Sequence, residues 1–271
     1  MKNIMIIAFA AILFTAESAF AQKKETRNVG SFSKISFGVP GKLYLRQGND
    51  EKVELEGDAD VLERVETIVS GTHLDIRPKG KMINWNWGGK QITAYVTMKN
   101  IEGISVSGSG DIVGEGIFNA GDLDLNVSGS GNLTVQANAS GNMDADISGS
   151  GNLSVKGKGR SLDSSLSGSG TLALSLAVAN DVSFNISGSG KIDASGSSQR
   201  VKVSISGSGK IRAADFDTKI CNIKIAGSGD VEIGVQDELD ANISGSGSVT
   251  YRGNPGKINS HSAGSGKVRK M

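Results

Sequence analysis

The tripeptide Gly-Ser-Gly occurs nine times between Gly108 and Gly266, with its first glycine at Gly108, Gly129, Gly149, Gly168, Gly188, Gly207, Gly227, Gly245 and Gly264. The spacings run from 18 to 21 residues. A flexible linker would not hold such a register. A period near twenty is the mark of a solenoid, in which each copy buries its apolar face only against its neighbours. The chain carries 38 glycines but only 3 prolines, which excludes collagen and proline-rich linkers as the source of the bias.

Aligning the copies on the first glycine turns the sequence into columns. Two residues beyond each unit stand Ile112, Leu133, Leu153, Leu172, Ile192, Ile211, Val231, Val249 and Val268. Two before it stand Val106, Val127, Ile147, Leu166, Ile186, Ile205, Ile225 and Ile243, a run broken only by Ser262 in the last copy. Two earlier again come mostly apolar residues, Ile104 to Ala241, with polar residues between the columns. This is the period of two expected of strands with one buried face. Each copy therefore reads as a strand, a Gly-Ser-Gly corner, a second strand and a short turn that leaves no room for a crossover helix. Such coils close by pairing each strand in parallel with its counterpart one coil on, as a single-stranded parallel β-helix of about 20 residues per coil. At about 4.8 Å per coil, nine coils make a rod roughly 43 Å long. No proline occurs between Lys79 and Asn254, as expected where nearly every backbone N–H is needed for ladder bonds.

The first residues, MKNIMIIAFAAILFTAESAFAQ, join Lys2 to an apolar run and then Ala19-Phe20-Ala21, which predicts a signal peptide over 1–21 cleaved after Ala21. The apolar run is too short to span a bilayer, and no later segment forms a transmembrane span. Exported protein at the periplasm, cell surface or beyond is the expected localisation. Cys221 is the sole cysteine, so stability must come from packing rather than a disulfide. The formal charge of +1, without a lysine and arginine track, argues against nucleic acid as a partner.

Residues 22–100 show the same alternation without Gly-Ser-Gly and are expected to form irregular N-terminal coils and a cap, continuous in one domain with the regular repeats over 101–271. Asp58 to Ile68 predicts a short amphipathic helix with Val61, Leu62, Val65 and Ile68 on one face. At the other end, Lys267, Arg269 and Lys270 would blunt the open sheet with charge. The stretch FSKISFGVPGKLYLRQGNDEKVELEGDADVLERVETIVSGTHLDI, followed by ISVSGSGDI, resembles the head-GIN-domain family of autotransporter adhesins common in Bacteroidetes, across nearly the whole mature chain. The resemblance implies a right-handed β-helix at the cell envelope and a role in adhesion.

Gly-Ser-Gly is not a phosphate loop, because a strand pattern follows each copy where a phosphate site needs a helix N-terminus. The nine serines lack a recurring histidine base, His73 and His261 being the only two in the chain, so they read as a hydrogen-bonded stack at a bend. No catalytic residue or cofactor is expected. Asp124, Asp144 and Asp163 share an outward column with Asp122 and Asp146 beside them, a solvated acidic stripe or a weak Ca²⁺ site. Trp85 and Trp87 in NWNWGG are candidates for glycan or partner binding, against a lid over the end of the coils. The function expected is a non-catalytic, adhesin-like envelope protein that binds a glycan or an envelope protein. The alternatives are a structural or sensory periplasmic component and, for want of long loops to wall a cleft, less readily a polysaccharide-active enzyme.

Overall fold

The computed structural model describes residues 22–80 and 87–271, and the expected signal peptide and Trp85 lie outside them. The chain is almost all β. In order it forms β1 (Lys23–Arg27), β2 (Lys34–Phe37), β3 (Gly41–Gln47), β4 (Lys52–Gly57), α1 (Ala59–Leu62), β5 (Val65–Ser70), β6 (His73–Pro78), β7 (Ile92–Met98), β8 (Gly103–Gly108) and β9 (Asp111–Ala120), followed by the repeated strand pairs.

From β8 onward the alternating pattern does what its period requires. The strand before each Gly-Ser-Gly pairs in parallel with its counterpart in the next coil, β8 with Leu123–Gly129, that strand with Asn142–Gly149, and so on to Lys257–Gly264. The strand after it does the same, from β9 through Asn132–Ala139 and Asn152–Gly159 to Lys267–Lys270. The result is a β-solenoid of stacked parallel coils. The predicted inward columns form one continuous core, with Val127, Ile147, Leu166, Ile186, Ile205, Ile225 and Ile243 all buried. Cys221 is buried between Val201 and Leu239 in register, and burial pushes its thiol up to about 12, as expected of a core residue rather than a nucleophile. Ser164 interrupts an inward column, and its hydroxyl is satisfied by donating to the Ser183 carbonyl at 2.9 Å.

The corner explains the glycines. All nine first glycines have φ between +108° and +139°, a region that a side chain resists. At Gly149 an added Cβ would also stand 2.5 Å from the Gly129 carbonyl oxygen of the preceding coil. That oxygen instead accepts the N–H groups of Ser150 and Gly151, each at 2.9 Å. The serine column differs from the expected hydroxyl stack: the bonds between coils run through backbone amides, while side chains such as those of Ser130, Ser150 and Ser169 are exposed. A side-chain ladder does form one residue beyond the corner, where Asn152 donates to Asn132 at 2.8 Å and Asn132 to Asp111 at 2.6 Å.

The N-terminal cap is built in a different order from the chain. Coil β2–β3 lies between β8–β9 and the later coil β6–β7, so the chain starts inside the stack, moves outward and returns. Antiparallel strands then close the end: β4 pairs with β7, β1 with β4, and β5 with β6. The helix predicted over Asp58 to Ile68 is corrected here. Only Ala59–Leu62 is helical, and Val65–Ser70 is β5. Val61, Leu62 and Val65 are buried as expected, but Ile68 is 38% exposed. The β-branched run Val65, Thr67, Ile68 and Val69 disfavours helix, and a pairing partner in β6 offers its backbone a ladder. At the far end, Ser260 and Ser262 follow Ala241 and Ile243 in the inward columns, so the last coil turns polar where it meets solvent.

Candidate functional site

Parallel register carries the acidic residues from sequence columns into space. Asp124 pairs with Asp144 and Asp144 with Asp163, so the three carboxylates line up across consecutive coils of the outward face. Burial, followed by the negative charge of Asp124, Asp146, Asp163 and Asp122, holds the Asp144 carboxyl above its ordinary range. Asp146, one column over, is also raised, chiefly by burial, against hydrogen bonds from Ser165. The ends of the row are already matched: Lys34 reaches Asp124 at 2.8 Å, and Asn185 donates to Asp163 at 3.3 Å. Asp122 is turned away to accept the Asn142 backbone N–H at 2.7 Å. Among the described residues, no three metal-ligating side chains converge on one point.

Trp87 is half-buried and packs against the core, while its predicted companion Trp85 lies outside the described residues. The exposed aromatic feature of the cap is a different pair, which the sequence reading did not single out. Tyr44 and Tyr95 are in register on β3 and β7, with rings stacked at 5.6 Å and Lys24 lying 4.9 Å from the centre of the Tyr95 ring. Equal spacing on two strands that are neighbours only through the out-of-order cap could not be read from periodicity.

A groove of about 770 Å³ also escaped the sequence reading. It lies at the turn that ends each coil's second strand and crosses four coils. Ala120, Ala139, Gly159 and Val178 make its floor, and Lys158 and Arg160 flank Gly159. The bend at Gly157, with φ +135°, leads the chain into it. In the coil after Val178 the floor column continues as Ser198, whose hydroxyl bonds to that of Thr218 one coil beyond at 3.4 Å. At the other end Gln47 closes the groove by accepting from the Asn119 N–H at 2.8 Å and donating to the Asn119 carbonyl at 3.0 Å. Three of the groove's four floor residues, Ala120, Ala139 and Gly159, are small. Its only sequence signal is a row of alanine and glycine in the variable turns, where the repeat columns dissolve.

The described residues thus form a rod of parallel coils with one closed end, broad polar faces and a shallow apolar groove. The chain belongs to the family described as "Putative auto-transporter adhesin, head GIN domain", whose pattern matches residues 31–194 and 165–255. No curated protein matches the chain. Solved structures share its fold: a putative lipid binding protein from Parabacteroides distasonis (23% identity, TM-score 0.69, covering 92% of this chain and 96% of that one). A putative adhesin from Parabacteroides merdae is similar at 21% identity and TM-score 0.71, with 92% and 96% covered. Another from Parabacteroides distasonis matches at 19% identity and TM-score 0.70, with 93% and 98% covered.

Proposed function

We propose that this chain is an exported, non-catalytic, adhesin-like protein of the cell envelope whose outward faces bind a glycan or a protein partner. The observation that carries this reading is the in-register face on which Asn126, Asp146, Ser165, Asn185 and Ser204 follow one another coil by coil, beside the column Ser128, Ser148, Ser167, Ser187 and Ser206. Short hydroxyl and amide groups on a rigid ladder meet a partner with little side-chain entropy to lose. His73 and His261 lie on β6 and on the last coil, at opposite ends of the stack, with His261 continuing the Asn126 column through Lys224 and Asn242. The family description and the predicted leader support export, and no helix among the described residues is long and apolar enough to cross a membrane.

The test is a glycan array together with capture from envelope fractions, using the purified exported chain. Saturable binding to one glycan class or one envelope protein, weakened by Asn185→Lys on the polar face, is the expected result. Turnover of a polysaccharide would overturn the reading. Loss of glycan binding in Trp87→Ala with Asn185→Lys silent would move the site to the cap. A second reading is favoured by the apolar groove, in which the chain takes a lipid-like ligand, as the name of the Parabacteroides distasonis neighbour says of that protein.

A further inference from the structure

Ala139 and Val178 of the groove floor belong to the buried core, but packing between coils does not dictate the glycine that lies between them in register, Gly159. Gly149 and its equivalents are held to glycine by positive φ and by the carbonyl of the coil below, but Gly159 is not: its φ is ordinary, and an added Cβ would meet nothing nearer than the Ser161 carbonyl oxygen at 3.8 Å. A larger side chain would fit there and would fill the groove. Neither Lys158 nor Arg160 is paired with an acid among the described residues, and the groove lining holds no aspartate or glutamate. Two free cations thus flank an unfilled apolar trough.

The groove also restricts what can occupy it. It runs across the strands, so the backbone groups beneath it are already bonded from coil to coil, Ser140 N–H to the Ala120 carbonyl and Ala179 N–H to the Gly159 carbonyl, each at 3.0 Å. An extended peptide needs a free sheet edge for its own N–H and C=O groups, and none is offered. An alkyl chain needs no such partners. Four coils at about 4.8 Å separation give it a track of about 14 Å. Lys158 and Arg160 supply donors for an anionic head, the guanidinium in a geometry that suits a carboxylate.

We propose that this groove binds a long-chain carboxylate, with its acyl chain along the solenoid axis over Ala139, Gly159 and Val178 and its carboxylate held by Lys158 and Arg160. This rests on the lipid-like reading and gives it a site and a headgroup. The experiment is calorimetric titration of the purified exported chain, at low salt, with dodecanoate below its micelle-forming concentration, alongside dodecyl maltoside and butyrate. Dodecanoate is expected to bind saturably at one site. Gly159→Leu should weaken it at least tenfold without lowering the melting temperature. Ala179→Glu, which puts a negative charge on an exposed turn residue beside the groove, should do the same, and serves if the leucine variant proves unstable. The double variant Lys158→Gln, Arg160→Gln should weaken dodecanoate about tenfold while leaving the weaker binding of dodecyl maltoside unchanged. Saturable dodecanoate binding that neither Gly159→Leu nor Ala179→Glu diminishes would leave the lipid-like reading standing and overturn the groove. Absence of saturable binding by either amphiphile would overturn both. Butyrate bound as tightly as dodecanoate would reduce the site to two cations and remove the acyl chain.

Discussion

The cap and the repeating coils solve one problem by opposite means. In the coils, identical backbone geometry recurs, and stability comes chiefly from parallel ladders and aliphatic columns, with ion pairs such as Arg200–Asp181 and Lys257–Glu238 confined to the surface. In the cap, strand order departs from chain order, three pairings are antiparallel, and charged side chains tie the strands together, as where Lys90 bridges Asp58 and Asp60 at 3.0 and 2.9 Å and Arg77 meets Glu66 at 2.8 Å. A coil inside the stack has a neighbour on each side and can rely on repetition. The terminal coil has one neighbour only, so its other edge must be covered, twisted away or charged. Repetition makes the rod, and irregularity ends it.

The sharpest way to break this division is to disturb the corner. Gly149→Val forces a β-branched side chain into left-handed φ and against the Gly129 carbonyl oxygen at 2.5 Å, and no flexible group is there to yield. A loss of about 4 kcal/mol or more is expected, from strain plus a displaced ladder. Ser154→Val, on the outward face five residues later, should stay within about 0.5 kcal/mol. Chemical denaturation of the pair checks this, and equal midpoints would contradict the role assigned to the corner.

A smaller effect tests whether the cap is a separate cooperative unit. Leu62 is fully buried in α1, and its carbonyl accepts from Arg27 at 3.0 Å. Leu62→Ala should cost about 3 kcal/mol. Because a solenoid is stabilised by nearest-neighbour contacts, the loss should appear first in the cap. Hydrogen exchange should accelerate in β1, β4 and β5 while Asn142–Gly149 and Asp181–Gly188 keep their protection. Uniform acceleration along the rod would mean that the cap and the coils unfold as one.

Legibility from sequence follows the same boundary. In the coils, register was readable because one glycine column fixes the phase of every other residue: Ile147, Leu166 and Cys221 point inward where the columns place them, and Asp124, Asp144 and Asp163 align as the spacing says. In the cap the phase is lost. The Val65–Ser70 segment carries apolar residues at positions compatible with helix or strand, and only its antiparallel partner β6 decides between them. The pairing of Tyr44 with Tyr95 and the bond from Ser33 to Glu102 at 2.8 Å depend on a strand order that no local signal records. The groove was hidden for a third reason. A concavity is made by atoms that are missing, and Gly159 looks in sequence like any other glycine of a glycine-rich repeat.

The smallest expected effect has the opposite sign and concerns the acidic row, where repetition carries a cost. Stacked carboxylates repel, and Asp144, in the middle of the row, has its pKa raised by burial and by its acidic neighbours. A carboxyl whose folded-state pKa lies above its unfolded value destabilises the fold at any pH above both, and this penalty vanishes as pH falls below the unfolded value of about 3.9. Asp144→Asn should therefore raise the melting temperature at pH 7 and low salt, by an amount worth less than about 1 kcal/mol for so exposed a row. The gain should shrink in high salt and disappear below about pH 4. The same variant tests calcium. If the row takes up Ca²⁺, millimolar calcium will stabilise the wild-type chain and Asp144→Asn will lose most of that shift. A wild-type melting temperature unmoved by calcium, with no heat of binding, would leave the row as a solvated stripe whose repulsion is a by-product of the repeat.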